Sequence, residues 1–187
     1  MDILITGKPC VGKTTLCEKL IDRLEKKGFL CGGVICPDVK KDGVSTGKEA
    51  VNVRTKASRM LAVVQSGPEG ARVVDYALNE QAVDLTKSII ESSSSCDVVI
   101  LDDIGPIKLE ESGLVEAAQE AFSTRNNIIL IVRSSLMNAF TRRFMDRGFS
   151  VFEVTEKNRD ELVEQIISYI EKSLQKTEEA SPIIFTH

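Results

Sequence analysis

A chain of 187 residues is long enough for one sizeable core and too short for two ordinary domains. Its 24 Lys and Arg stand against 28 Asp and Glu, a net charge of −4, which supplies no general basic footprint for nucleic acid or a membrane surface. Hydrophobic residues at 42% fit a folded globular domain, and the longest apolar runs fall far short of the ~20 residues a membrane-spanning helix needs.

Short apolar runs alternate with amphipathic stretches, which predicts an α/β fold with a mostly parallel sheet. Ile3–Ile5 is the first strand; it begins so early that it leaves no room for a targeting leader, and a cytosolic protein is expected. Leu16, Leu20 and Leu24, with Cys17 and Ile21 beside them, mark a helix that Gly28 ends. Cys31–Cys36 reads as the second strand, stopped by Pro37. Between Asp38 and Gln65 the turns at Asp42-Gly43 and Thr46-Gly47 and the alternation at Val51 and Val53 predict an inserted antiparallel hairpin at the sheet edge. A turn follows at Gly67-Pro68, then a strand over Val73–Ala77 and a helix on Leu78, Ala82, Leu85 and Ile89. Val98–Leu101 is a buried strand, Leu114–Phe122 a helix, and Ile128–Val132 another buried strand. Leu136, Phe140 and Phe144 mark a helix, Val151–Val154 a strand, and Leu162, Ile166, Ile170 and Leu174 the last long helix. One domain over residues 1–175 is thus expected, with a loose tail over 176–187 in which Ile183–Phe185 could add to a sheet edge.

Five cysteines without a C-x-x-C pair read as reduced, mostly buried thiols. The single histidine is His187, at the end of the tail, which argues against a Ser-His-Asp triad or a His-ligated metal.

Gly7-Lys8-Pro9-Cys10-Val11-Gly12-Lys13-Thr14 is a full G-x-x-x-x-G-K-[ST] match, running from a strand into an amphipathic helix. That order suits phosphate: a glycine-bearing loop turns backbone N–H groups inward, and the helix N-terminus adds partial positive charge. In this reading the fold is a P-loop NTPase, a three-layer α/β/α sandwich. Lys13 bridges the β- and γ-phosphates, Thr14 is a ligand to Mg²⁺, and Thr15 supports the α-phosphate. Val98–Leu101 then delivers Asp102 as the second magnesium-shell residue, and Asp103 directly after it suits a base that orients the attacking water. Gly105, in the same segment, is also a candidate nucleotide-binding residue. Further positive charge for the transition state has several sources: Arg133 at the end of a strand is preferred, with Arg142, Arg143, Arg147 and Arg159 as alternatives. Lys40-Lys41-Asp42 reads as a solvated turn. No N-K-x-D tetrapeptide occurs, so loose selectivity among bases is expected.

The segments GKPCVGKTTL, VVILDDIGPIKLEESG and VFEVTEKNRDEL resemble the nucleoside-triphosphatase family known from thermophilic archaea and bacteria and from a human cancer-related relative. The hairpin after Pro37 and the Tyr76 segment fit too, so the resemblance spans nearly the whole chain except the tail. It implies slow, Mg²⁺-dependent hydrolysis of ATP, GTP and other nucleoside triphosphates, and it places Asn158-Arg159-Asp160 near the nucleotide base or a lid. Two residues depart from the family pattern, which has Gly at Cys10 and Glu at Asp103. The shorter Asp103 arm, by about 1.5 Å, is expected to slow turnover. A nucleotide or small-molecule kinase, or a slow nucleotide-dependent switch, are the alternative readings of the same motifs. The expected partners are nucleoside triphosphates, with no nucleic acid or membrane, and the chain is expected to be a monomer.

Overall fold

The computed structural model describes residues 1–64, 76–102, 123, 127–143 and 148–179. In chain order these form β1 (Asp2–Gly7), α1 (Lys13–Lys26), β2 (Cys31–Ile35), β3 (Asp38–Lys41), β4 (Val44–Asn52), β5 (Ser58–Val64), β6 (Tyr76–Leu78), α2 (Glu80–Ser92), β7 (Val98–Leu101), β8 (Asn127–Arg133), α3 (Met137–Arg143), β9 (Ser150–Val154) and α4 (Arg159–Glu179). The strands join in one sheet of order β6-β5-β4-β2-β7-β8-β1-β9, with β3 paired to β4 off this path.

Alternation along the buried strands divides the core in two. Ile3 and Ile5 of β1, Val98 and Ile100 of β7, and Ile129 and Ile131 of β8 face α1 and α4. Leu4, Val99, Leu101, Ile128, Leu130 and Val132 face the other way, toward α2 and Phe140 of α3. Strands buried on both faces read as unbroken apolar runs, which is why β1, β2, β7 and β8 stand in the sequence where they stand in the fold. Together with the edge strand β9 they are the parallel part: β2–β7, β7–β8, β8–β1 and β1–β9 all run the same way. The result is the expected α/β/α arrangement with a mostly parallel centre.

α1 buries Leu16, Cys17, Leu20, Ile21 and Leu24. It ends in a Schellman motif, with Gly28 N–H on the Glu25 carbonyl at 3.0 Å and Phe29 N–H on that of Leu24 at 3.1 Å. Across its exposed side, Lys19–Asp160, Arg23–Glu164 and Lys27–Glu171 bridge to α4 at 2.8, 2.9 and 2.6 Å. Pairs this exposed contribute little to stability.

The insertion is larger than the expected hairpin. β3 and β4 do form one around Asp42 (φ 52) and Gly43 (φ 81), both in the left-handed region that an Asp-Gly turn supplies. β5 and β6 then extend it antiparallel, and β4 joins the parallel sheet through an antiparallel pairing with β2. α2 also starts later than predicted. Leu78 is the last residue of β6, paired with Ala62, and Asn79 is the cap, its side chain accepting from Ala82 N–H at 3.3 Å. Leu85 is 38% exposed, and the buried stripe is Ala82, Val83, Thr86, Ile89 and Ile90. α4 continues to Glu179, into the stretch expected as tail. The turn at Gly67-Pro68, residues 73–75 of the expected strand, the helix over Leu114–Phe122, Phe144, Arg147, Ile183–Phe185 and His187 lie outside the described residues.

Candidate functional site

β1 leads into a loop that its neighbours shape closely. Gly7 is buried with φ +153, and a Cβ there would stand 2.6 Å from the carbonyl oxygen of Val154 on β9. Only glycine lets the two strands approach at this point. Lys8, Pro9 and Cys10 are exposed and Val11 is half-buried. Gly12 (φ 100, ψ 23) is the N-cap of α1; no side chain caps the helix and its first turn holds no acid, so no carboxylate there competes for an arriving anion.

Cys10 has φ 60. An L-residue in the left-handed region costs about 1–2 kcal/mol, whereas a glycine enters it freely. Cys10 carries that strain in the loop.

Lys13 lies folded over the loop, its Nζ donating to the carbonyls of Gly7 at 3.0 Å and Lys8 at 2.7 Å. Thr14, one residue on, donates from Oγ1 to Asp102 Oδ2 at 2.8 Å. Asp102 is 2% exposed at the end of β7, and the same Oδ2 accepts from Cys36 N–H at 3.2 Å. Loop and acidic strand end, far apart in sequence, are thereby joined through one carboxylate oxygen. Thr15 is exposed one turn from the loop.

Arg133 ends β8, half-buried and in register with Gly7. Arg159 opens α4 beside the loop: a Cβ on Gly12 would stand 3.6 Å from both Cδ and Nη1 of its side chain. Asn158 fixes that placement by accepting from Thr155 N–H at 2.8 Å and donating to the Glu153 carbonyl at 2.8 Å. A shallow cavity of about 220 Å³ opens here, lined by Gly12, Thr15, Leu16, Lys19, Arg159 and Asp160. Lys19 holds the Asp160 carboxyl below its usual range through their hydrogen bond. Arg142 is exposed on α3. Asp103 and Gly105 lie outside the described residues. Sequence reasoning missed Lys48, which is 7% exposed, donates to the Cys36 carbonyl at 3.3 Å and pairs with Asp38 at 3.2 Å. By contrast Lys40, Lys41 and Asp42 are exposed, as a solvated turn should be.

The thiols separate cleanly. Cys17, Cys31, Cys36 and Cys96 are buried and Cys10 is exposed. Burial pushes the Cys17 thiol well up, aided by the Asp102 charge, and pushes Cys31 up to about 12. At about pH 8 Cys31 is then thiolate in roughly one molecule in 10⁴. Iodoacetamide is therefore expected to label Cys10 first, with protection by Mg²⁺–nucleotide, as read by peptide mass spectrometry. Undiminished labelling with nucleotide bound would place Cys10 off the phosphate site.

A profile of the NTPase family matches residues 2–167. The nucleoside-triphosphatase THEP1 of Methanopyrus kandleri is 30% identical over 94% of this chain and 98% of its own length. That of Methanosarcina acetivorans is 31% identical over 88% of this chain and 93% of its own. Among solved structures, the crystal structure of THEP1 from the hyperthermophile Aquifex aeolicus superposes with a TM-score of 0.74 at 25% identity, covering 91% of this chain and 99% of that one.

Proposed function

The chain belongs to the NTPase family and hydrolyses nucleoside triphosphates, and on that premise we propose how its residues share the reaction. Residues Gly7–Thr15 hold the phosphates, with Lys13 exchanging its two loop carbonyls for β- and γ-phosphate oxygens. Arg159 and the cavity beside it receive the nucleoside end, and Gly105 is assigned to nucleotide binding from its place in the sequence. Arg133, in register with Gly7, supplies positive charge to the phosphoryl group as it passes from the leaving diphosphate to water, and Asp103 orients and deprotonates that water.

Thr14 and Asp102 would hold Mg²⁺. The observation that carries this reading is the 2.8 Å bond from Thr14 Oγ1 to Asp102 Oδ2. With its proton committed to a buried carboxylate, the hydroxyl turns its lone pairs toward a cation. A hydroxyl and a carboxylate are hard oxygen donors of the kind magnesium takes. Magnesium keeps several waters and the substrate's own phosphates as its other ligands, so it needs no larger protein cluster. When bound, the ion neutralises charge on the β- and γ-phosphate oxygens.

Selectivity among bases is loose in this proposal, because no guanine-reading N-K-x-D tetrapeptide occurs in the sequence. The test is phosphate release from ATP, GTP, CTP and UTP with and without Mg²⁺, using Lys13→Ala as the blank. The rates are expected to agree within about tenfold and to vanish with chelator. Release from a single base would overturn the selectivity, and release without a divalent ion the metal reading. Asp102→Asn is expected to lower Mg²⁺-dependent affinity about 10–100-fold while leaving metal-free nucleotide binding nearly unchanged, measured by calorimetric titration.

A further inference from the structure

We propose that Lys48 is a positioning residue for Asp102: it clamps the end of β2 so that the buried carboxylate stays aligned with Thr14. The inference rests on the metal reading above. Lysine is almost never buried unless paired. Lys48 is buried, and it lies directly across β3–β4 from Asp38, with which it pairs at 3.2 Å. Its Nζ also donates to the Cys36 carbonyl at 3.3 Å. The next residue, Glu49, donates its N–H to the Pro37 carbonyl at 3.1 Å. The Cys36-Pro37 segment is thus gripped twice from β4.

The gripped segment presents the Cys36 N–H to Asp102 Oδ2 at 3.2 Å, beside the Thr14 hydroxyl at 2.8 Å on the same oxygen. A pairing shift between Lys48 and Glu49 interrupts the β4–β5 ladder at this point. Such bulges re-aim side chains next to functional sites. Outer partners that orient a metal's ligands commonly change metal affinity 10–100-fold when removed.

The test compares affinity for the β,γ-imido analogue of ATP in Mg²⁺ and in chelator, by calorimetric titration of the full chain. Lys48→Met is expected to leave the metal-free affinity within about twofold and to reduce the strengthening by Mg²⁺ about tenfold. Lys48→Arg, which keeps the cation, should recover most of it. If Lys48→Met does not fold, Lys48→Gln reads the same ratio, and a fall of about threefold or more is expected. An unchanged ratio in Lys48→Met or Lys48→Gln would overturn the proposal. So would a loss in Lys48→Arg as large as in Lys48→Met, which would make the role one of packing. Wild-type protein that binds the analogue equally with and without Mg²⁺ would instead remove the metal reading, and this proposal with it.

Discussion

Asp103→Asn is expected to bind Mg²⁺–nucleoside triphosphate close to wild type and to hydrolyse it about 10²–10⁴-fold more slowly, the range for a lost general base. The amide keeps the size and hydrogen-bonding reach of the carboxylate but cannot take a proton from water. Asp103→Glu restores the longer arm of the resembling family and should keep or raise the rate. Wild-type turnover should itself fall below the enzyme median of about 10 s⁻¹, because P-loop hydrolysis without a partner's arginine is slow. Single-turnover hydrolysis at saturating Mg²⁺–nucleotide separates these cases. If Asp103→Asn hydrolyses as fast as wild type, the base lies elsewhere.

Lys13→Ala is expected to weaken triphosphate binding roughly 10–100-fold, and diphosphate binding several-fold less. The ammonium already has partners, the carbonyls of Gly7 and Lys8, so binding exchanges two neutral acceptors for charged phosphate oxygens. Only the difference between those contacts appears as affinity, which keeps the effect below what the charges alone would give in a dry site. Calorimetric titration with both nucleotides tests the assignment. Equal losses would move Lys13 off the γ-phosphate.

Much of this was legible in the sequence, for reasons that also mark where legibility stopped. The runs at Ile3–Ile5, Val98–Leu101 and Ile128–Val132 lie in strands buried on both faces, and the loop motif carries its own glycines. Asp102 could be found because an acid after four apolar residues has few places to go. The insertion was harder. β3 is mostly exposed and β4 mixes polar with apolar positions, so no clean period survives to be read. Leu85 kept helical spacing with Ala82 and Ile89 but sits on the outer flank of α2, where Val83, Thr86 and Ile90 take the buried face. Lys48 gave no signal at all. A lysine in a polar stretch reads as solvated, and its burial depends on Asp38 across the hairpin and on the Cys36 carbonyl at the end of another strand. The strain at Cys10 is equally invisible without the backbone.

The position of β1 in the sheet has a consequence for the order in which the molecule is built. Its neighbours on either side are β8 and β9, which begin at Asn127 and Ser150. At about 5–20 residues per second, a ribosome that has just made β1 needs roughly 6–25 s to reach β8. Throughout that interval Ile3, Leu4 and Ile5 have no sheet to enter, while β2, β4 and β5 can already pair among themselves. β1 is therefore seated long after it has been synthesised. A nascent chain halted before Asn127 would carry every residue of the phosphate loop but neither β8 nor β9, leaving the apolar β1 for chaperones to cover until the last third of the chain arrives.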